Sequence, residues 1–309
     1  MKLIKKQTTI KRNIKIEGIG LHTGAPARVE MTPAADNTGI MFVRADTHPP
    51  VMIKADSSNI LATDHATTIG KGNTKISTIE HLMAAVYALG INNIIIRVYG
   101  PEVPVMDGSS RPFVDALTAA GIAYNSSPEI TLDIKSRLSI SDGDKFISIE
   151  PCRGLYVDCR IEFDHPLIQK QLFSAKITPK NFTKKICMAR TFGFLKDVEA
   201  MKKHGLALGG SLENAVVIDN DRIINSEGLR SPDEFVKHKV LDLIGDIALS
   251  GFRINGRIKA VKTGHEMHSR LVQKIMATPS AWELSNGIDE KRPLPSWINT
   301  NGRRVAVAV

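Results

Sequence analysis

His238 and Asp242 are four residues apart in a stretch, 234–249, whose apolar residues Phe235, Val236, Val240, Leu241, Leu243, Ile244 and Ile247 recur at helical spacing. A helix places the two side chains one turn apart on one face, where an imidazole and a carboxylate can share a metal ion. Far upstream, Ser77-Thr-Ile-Glu80-His81-Leu-Met-Ala-Ala offers a histidine beside a glutamate at the start of another apolar segment. Two ligands from one helix, a third from another and a glutamate at hand form the plan of a catalytic zinc hydrolase. Each part has a plainer reading. His238 with Asp242 is also an i,i+4 ion pair, and Ser77-x-x-Glu80 is also a capping box. On spacing alone the capping box is the stronger reading of Glu80, but a capping box needs no histidine beside it.

Further residues extend this chemistry. Asp246 repeats the step from Asp242, and a carboxylate buried there requires a partner. Lys239 points off to the side of the metal face. Gly264-His265-Glu-Met-His268 follows a predicted strand, and a histidine in a strand-end loop suits acid–base work. His265 and His268 are not read as metal ligands, because three are already available and a catalytic site keeps one position open. The glycine-rich run 205–214 lacks Gly-Lys-Ser/Thr and is not a P-loop. The apolar residues around it, Leu195, Val198, Leu206, Leu208 and Val216, either fill a core or wall a channel for an apolar tail.

The elements that must position these groups follow from patterning. Strands are expected at 9–16, 27–32, 40–44 and 51–54, a helix at 78–89, a strand at 93–99 and a helix at 112–120, with 125–128 as a linker. The second half runs in the same order, with strands at 130–134, 138–141, 145–150 and 155–163, a helix at 235–249, a strand at 257–262 and a final helix at 269–277. This is the pattern of a duplicated α+β unit with the active site between the copies. The stretch after Pro279 is rich in Pro, Asn and charge and is expected to be a surface extension.

The 309 residues carry a net charge of +9 and 42% apolar residues. Only 5% are aromatic and no RNP-type motif is present, which gives single-strand nucleic-acid recognition little support. The expected partner is a small-molecule substrate rather than nucleic acid. No run of eighteen apolar residues suggests membrane insertion, and the basic N-terminus lacks the apolar core of a signal peptide. Cys152, Cys159 and Cys187 form no ligand pattern, which fits a reducing cytoplasm.

Leu21-His22-Thr-Gly, Ser77-Thr-x-Glu80-His81-Leu-x-Ala-Ala and Pro104-Val-Met-Asp107-Gly-Ser, taken together, resemble the bacterial UDP-3-O-acyl-N-acetylglucosamine deacetylases. So do Ala189-Arg-Thr191-Phe-Gly-Phe194, Leu208-Gly-Gly-Ser211, Glu234-Phe-Val-x-His238-Lys-x-Leu-Asp242-x-Ile-Gly-Asp246 and Gly264-His265. The motifs stand in the family's order over about residues 1–277. The resemblance implies a zinc-dependent amidohydrolase of lipid A biosynthesis that removes acetate from a UDP-linked, 3-O-acylated N-acetylglucosamine. It implies two pseudo-repeated two-layer α/β sandwich domains, 1–126 and 129–277, with an extension at 278–309. The implied ligands are His81, His238 and Asp242, binding zinc, for which iron(II) could substitute. Glu80 is the implied general base and Thr191 a donor near the developing oxyanion. His265 is the implied cationic acid or electrostatic stabiliser, oriented by Asp246. Lys239, Phe192 and Phe163 are implied substrate contacts, as are Phe194, Leu195 and His22 around an acyl passage formed near 195–211. A monomer is expected. Two departures stand out: Met267-His268-Ser269 where the family commonly has Asn-Asn after its Gly-His-x-x, and the loop Ala62-Thr-Asp64-His65-Ala.

Two-residue acid–base chemistry predicts a bell-shaped pH profile with Glu80 on the acid limb and His265 on the basic one. A hydrolase of another amide, or a basic binding module whose His and Asp residues are structural, remain the rival readings.

Overall fold

A computed structural model describes residues 5–286. The chain is a mixed α/β protein with five sheets and six α-helical segments among the described residues. One sheet has five strands in the order Ile14–Ile19, Pro26–Pro33, Ile94–Tyr99, Ile40–Arg44 and Val51–Lys54. Alternation along Pro26–Pro33 turns Val29 and Met31 inward and Arg28 and Glu30 outward, as a half-buried strand requires. Ile94, Ile96 and Val98 do the same on the neighbouring strand. These side chains share one core with Leu82 and Val86 of helix α1 (Glu80–Ala88) and Phe113 and Leu117 of helix α2 (Arg111–Ala120).

The second large sheet has seven strands. Its longest strand, Arg253–Val261, pairs in parallel with Thr131–Ile134 and Leu155–Glu162 and antiparallel with Lys145–Glu150. A single turn α3 (Pro179–Asn181) and helix α4 (Leu195–Lys203) precede the two helices that pack on this sheet, α5 (Glu234–Ile247) and α6 (His265–Ala277). A three-stranded sheet of Ile60–Ala62, Thr68–Lys71 and Thr74–Ile76 lies just before α1. Another, of Phe192–Phe194, Val216–Asp219 and Arg222–Ile223, frames α4.

Helices α1 and α5 make the main helix–helix contact. They touch backbone to backbone, because a Cβ built on Gly245 would lie 2.1 Å from the Glu80 carbonyl oxygen. Only a glycine allows that approach, and it sets the start of α1 beside the middle of α5.

Several sequence expectations are corrected. The strand expected over 9–16 is two strands, Lys6–Ile10 and Ile14–Ile19, in different sheets. The expected linker 125–128 belongs to the strand Ile122–Pro128, which pairs with Lys6–Ile10. Its polar residues are hydrogen-bonded rather than loose: the Asn125 side chain bonds Asn93 and the Ala34 carbonyl, and the Ser126 and Ser127 amides donate to Asp36. His265 opens α6 instead of lying in a loop before it. Of the expected surface extension, Trp282–Ser285 is a strand paired with Thr131–Ile134, and Trp282 is buried with its Nε1 donating to the Ile275 carbonyl at 2.7 Å. The rest of that stretch, 287–309, lies outside the described residues.

Candidate active site

The α1–α5 contact brings His81, His238 and Asp242 together. Their ligand atoms all lie within 4.8 Å of one another, and all three residues are buried. Asp242 Oδ1 is 3.4 Å from His238 Nε2 and 3.6 Å from His81 Nε2. Metal–ligand bonds of about 2.1 Å in a tetrahedron give an edge of about 3.4 Å, so these spacings fit a shared metal. The His238 ring is fixed for that task. Its Nδ1 lies 3.1 Å from the Ala189 carbonyl, which takes the Nδ1 hydrogen and leaves the Nε2 lone pair toward the cluster. Burial pushes His238 down to about 3, the Asp242 charge only partly opposing it, so the ring is neutral as a ligand must be. The Ala189 carbonyl is itself held by its neighbour: Arg190 is buried and donates its backbone N–H and Nε to buried Glu234 at 3.0 and 2.9 Å.

Glu80 is buried at the first position of α1. The capping box does not form. Ile79 takes the cap position with no side-chain bond, and Ser77 instead accepts from Thr68 Oγ1 at 3.0 Å. Glu80 Oε2 accepts the Thr67 backbone N–H at 3.1 Å, while Oε1 lies 3.9 Å from His265 Nε2. Burial raises the Glu80 carboxyl above the usual range, with the two nearby histidines opposing. The entry to α1 is pinned by Glu102, which accepts from Thr78 Oγ1 at 2.7 Å and from the backbone N–H groups of His22 and Thr23, both at 3.0 Å. Thr78 is held there in the left-handed region at φ 58°.

Across the site, Asp246 Oδ2 lies 2.8 Å from His265 Nδ1 and 2.7 Å from His268 Nδ1. These three residues also form a group of metal-ligand types. Their spacings are hydrogen-bond lengths, shorter than a coordination edge, so the cluster is a hydrogen-bonded array. Burial works against a cation at His265, but the Asp246 charge and hydrogen bond, aided by Asp242 and Glu80, push it up to about 9. Lys239 departs from expectation. It does not point away from the metal face but reaches Asp242 Oδ2 at 2.8 Å, leaving Oδ1 to the two histidines.

A cavity of about 410 Å3 is lined by Glu80, His81, Thr191, His238, Lys239, Asp242 and His265, with Phe163, Phe192 and Phe194. Phe192 packs edge-on to Phe163 at 5.8 Å and to His238 at 6.1 Å. An adjoining cavity of about 450 Å3 shares Leu21, His65, Thr191 and Phe192 and continues along Leu195, Val198, Met201, Ala215 and Val217. His22 lines it, and neither of its ring nitrogens has a protein partner. A shallower hollow of about 570 Å3 at Ser139, Arg270 and Lys274 is lined by no histidine, cysteine or carboxylate. Sequence reading did not single out Thr67, Glu102, Arg190 or a role for His268. Each acts by folding onto a distant residue, which leaves no local spacing to detect.

The family model described as LpxC, UDP-3-O-acyl N-acetylglycosamine deacetylase, matches residues 7–277. Proteins named UDP-3-O-acyl-N-acetylglucosamine deacetylase are similar over nearly the whole chain. The one from Haemophilus ducreyi is 47% identical, over 90% of this chain and 92% of its own. That from Myxococcus xanthus is 45% identical over 90% and 88%, and that from Methylococcus capsulatus 43% over 96% and 98%. A match this long, carrying the motifs that build the buried cluster, means that the chain belongs to the UDP-3-O-acyl N-acetylglycosamine deacetylase family.

Proposed function

We propose that the chain hydrolyses the N-acetyl group of UDP-3-O-(3-hydroxyacyl)-N-acetylglucosamine, releasing acetate and the free amine in the committed step of lipid A biosynthesis. The observation that carries this reading is a buried His81–His238–Asp242 cluster beside Glu80 and His265, in a cavity that opens into an apolar passage. His81, His238 and Asp242 would hold zinc; iron(II) suits the same donors. Zinc, when bound, supplies Lewis-acid polarisation of the amide carbonyl and acidifies water.

The protein groups supply the proton transfers. Glu80 takes a proton from the water that attacks the carbonyl carbon, its Oε2 being steadied by the Thr67 amide. Thr191 donates its hydroxyl hydrogen toward the oxygen on which negative charge develops. The C–N bond then breaks and the departing nitrogen needs a proton. His265 gives it from Nε2, the ring position facing the cavity, since Nδ1 is engaged by Asp246. Lys239 contacts substrate as well as Asp242. Phe163, Phe192 and Phe194 flank the nucleotide–sugar part. The acyl chain lies along Leu195, Val198 and Ala215, with His22 offering its unpartnered ring to a polar group at the mouth.

We read the chain as two pseudo-repeated units, 1–126 and 129–277, with α1 and α5 facing each other across the site. The whole cluster comes from one chain, so a monomer suffices. A UDP-linked substrate and three unpaired cysteines suit the cytoplasm. No helix among the described residues is long and apolar enough to cross a membrane.

The test is metal content and acetate release from the acylated UDP-sugar, for wild type and His238→Ala together. Bound metal and acetate release, both lost in the variant, are expected. Metal without release would discard the substrate, and neither would discard the hydrolase.

A further inference from the structure

Asp246 carries more than the reaction scheme requires. Besides His265, its Oδ2 meets His268 Nδ1 at 2.7 Å, and its Oδ1 accepts from Thr67 Oγ1 at 2.5 Å. An ionised carboxylate only accepts, so both imidazoles present an N–H on Nδ1. The second nitrogen of His268, Nε2, lies 2.9 Å from Thr263 Oγ1. His268 is buried, and burial together with the neighbouring His265 cation holds its pKa below the ordinary histidine range. The ring is therefore neutral, and Thr263 donates to it. Both ring nitrogens of His268 are thus engaged: Nδ1 holds one carboxylate oxygen in place, and the Thr263 hydroxyl fixes the ring from the other side.

We propose that His268 is a positioning residue for the reaction: as a neutral Nδ1–H donor it fixes the Asp246 carboxylate, takes up part of its charge, and so sets the pH at which His265 gives up its proton. This inference rests on His265 being the acid in the function proposed above. His265 is faced by Glu80 and His81 from α1, by Lys239, Asp242 and Asp246 from α5, by Glu266 and His268 from its own helix, and by His65 and Thr67 from the loop between the strands Ile60–Ala62 and Thr68–Lys71. Of these, Thr67 meets His265 both directly, Oγ1 to Nδ1 at 3.3 Å, and through Asp246 Oδ1, and His268 alone acts as a buried ring on the same carboxylate oxygen as His265. Removing its N–H concentrates the Asp246 charge on His265. A neutral hydrogen bond of ordinary strength corresponds to roughly half to one pH unit.

The experiment follows the His265 ring by 15N NMR in the metal-loaded full chain, alongside the basic limb of kcat/KM. In His268→Leu both should move up by about half to one unit. His268→Asn places an amide N–H where Nδ1 stood and should return both close to wild type. No shift in His268→Leu, or a downward one, would overturn the proposal, even with activity or Tm reduced. Wild type provides a test that needs no variant to fold. His268 should show a protonated Nδ1 and a bare Nε2 throughout pH 6–9, and the opposite tautomer, or a titration in that range, would overturn the proposal. If wild type releases no acetate, the proposed function fails while the NMR titration still decides the role of His268.

Discussion

Replacing Asp246 by Asn removes the charge that keeps His265 cationic and leaves a side chain of the same shape. With Asp246 present, His265 is pushed up to about 9 against the effect of burial. Without that carboxylate charge, burial and the start of α6, whose N-terminal end disfavours cations, offset what Asp242 and Glu80 still contribute, and the ring returns to about its ordinary value of 6.5. The change is about 2.5 pH units, or about 3 kcal/mol of differential stabilisation. The active form is the protonated ring, so activity is lost as pH rises through the folded pKa, and the variant loses it earlier. At pH 8 the cationic fraction falls from about nine-tenths to about 3%, a loss of about 30-fold. At pH 6 the loss is under about twofold, because either ring is then mostly protonated. The assay is acetate release across pH 5.5–9.5 with metal content checked at each end, Asp246 not being among the proposed ligands. An equal loss at pH 6 and pH 8, with the basic limb unmoved, would refute the idea that Asp246 acts through the charge of His265.

Dialysis against a chelator should abolish acetate release and lower Tm, and one equivalent of zinc should restore both. Free metal at a hundredfold its Kd contributes about 2.7 kcal/mol of stability, and full activity below a tenth of a metal per chain would exclude the site. Gly245→Ala forces α1 and α5 apart, since its Cβ would meet the Glu80 carbonyl at 2.1 Å. Denaturant unfolding should show a loss of about 1–3 kcal/mol, and kcat/KM should drop by about a hundredfold as Glu80 and His81 shift by about 1 Å from α5. Ala215→Phe narrows the apolar passage. Affinity in wild type should rise about fourfold per acyl methylene, and the variant should flatten that rise for long chains only; a uniform loss at every length would remove the acyl chain from this passage.

The parts of the site that were legible in sequence are those carried on regular helices. The apolar period around His238 and Asp242 predicted α5 to within two residues at each end, and the buried His81–His238–Asp242 cluster follows from that helix meeting α1. What escaped was carried by short or irregular elements. Thr67, which steadies both Glu80 and Asp246, lies at the edge of a sheet whose strands are three or four residues long, too short to show a period. Ser77 and Glu80 have the spacing of a capping box, but tertiary partners, Thr68 and Thr67, take their side chains instead. The strand Lys170–Lys176 alternates half-buried and exposed residues, and its apolar Leu172 is among the exposed ones, which hides the pattern. His268 meets Asp246 from twenty-two residues away, a separation that leaves no local spacing to connect the two.

The order His238, Asp242, Asp246 along α5 explains why one stripe serves two kinds of chemistry. A step of four residues turns an α-helix by about 400°, so each carboxylate lies about 40° further round than the residue before it. His238 and Asp242, one step apart, still converge on His81 of α1. Asp246, about 80° from His238, has turned away from α1 toward α6, where two imidazoles meet its single oxygen. Gly245 lets the Glu80 backbone settle between these two faces, so one carboxylate can look toward both. The proposed metal-ligating and proton-donating halves are thus set apart by helical drift. A five-residue step from Asp242 would turn the second carboxylate by about a further 100°, out of reach of His265. The spacing of this acid–base pair is fixed by the pitch of one helix and the glycine that its neighbour rests on.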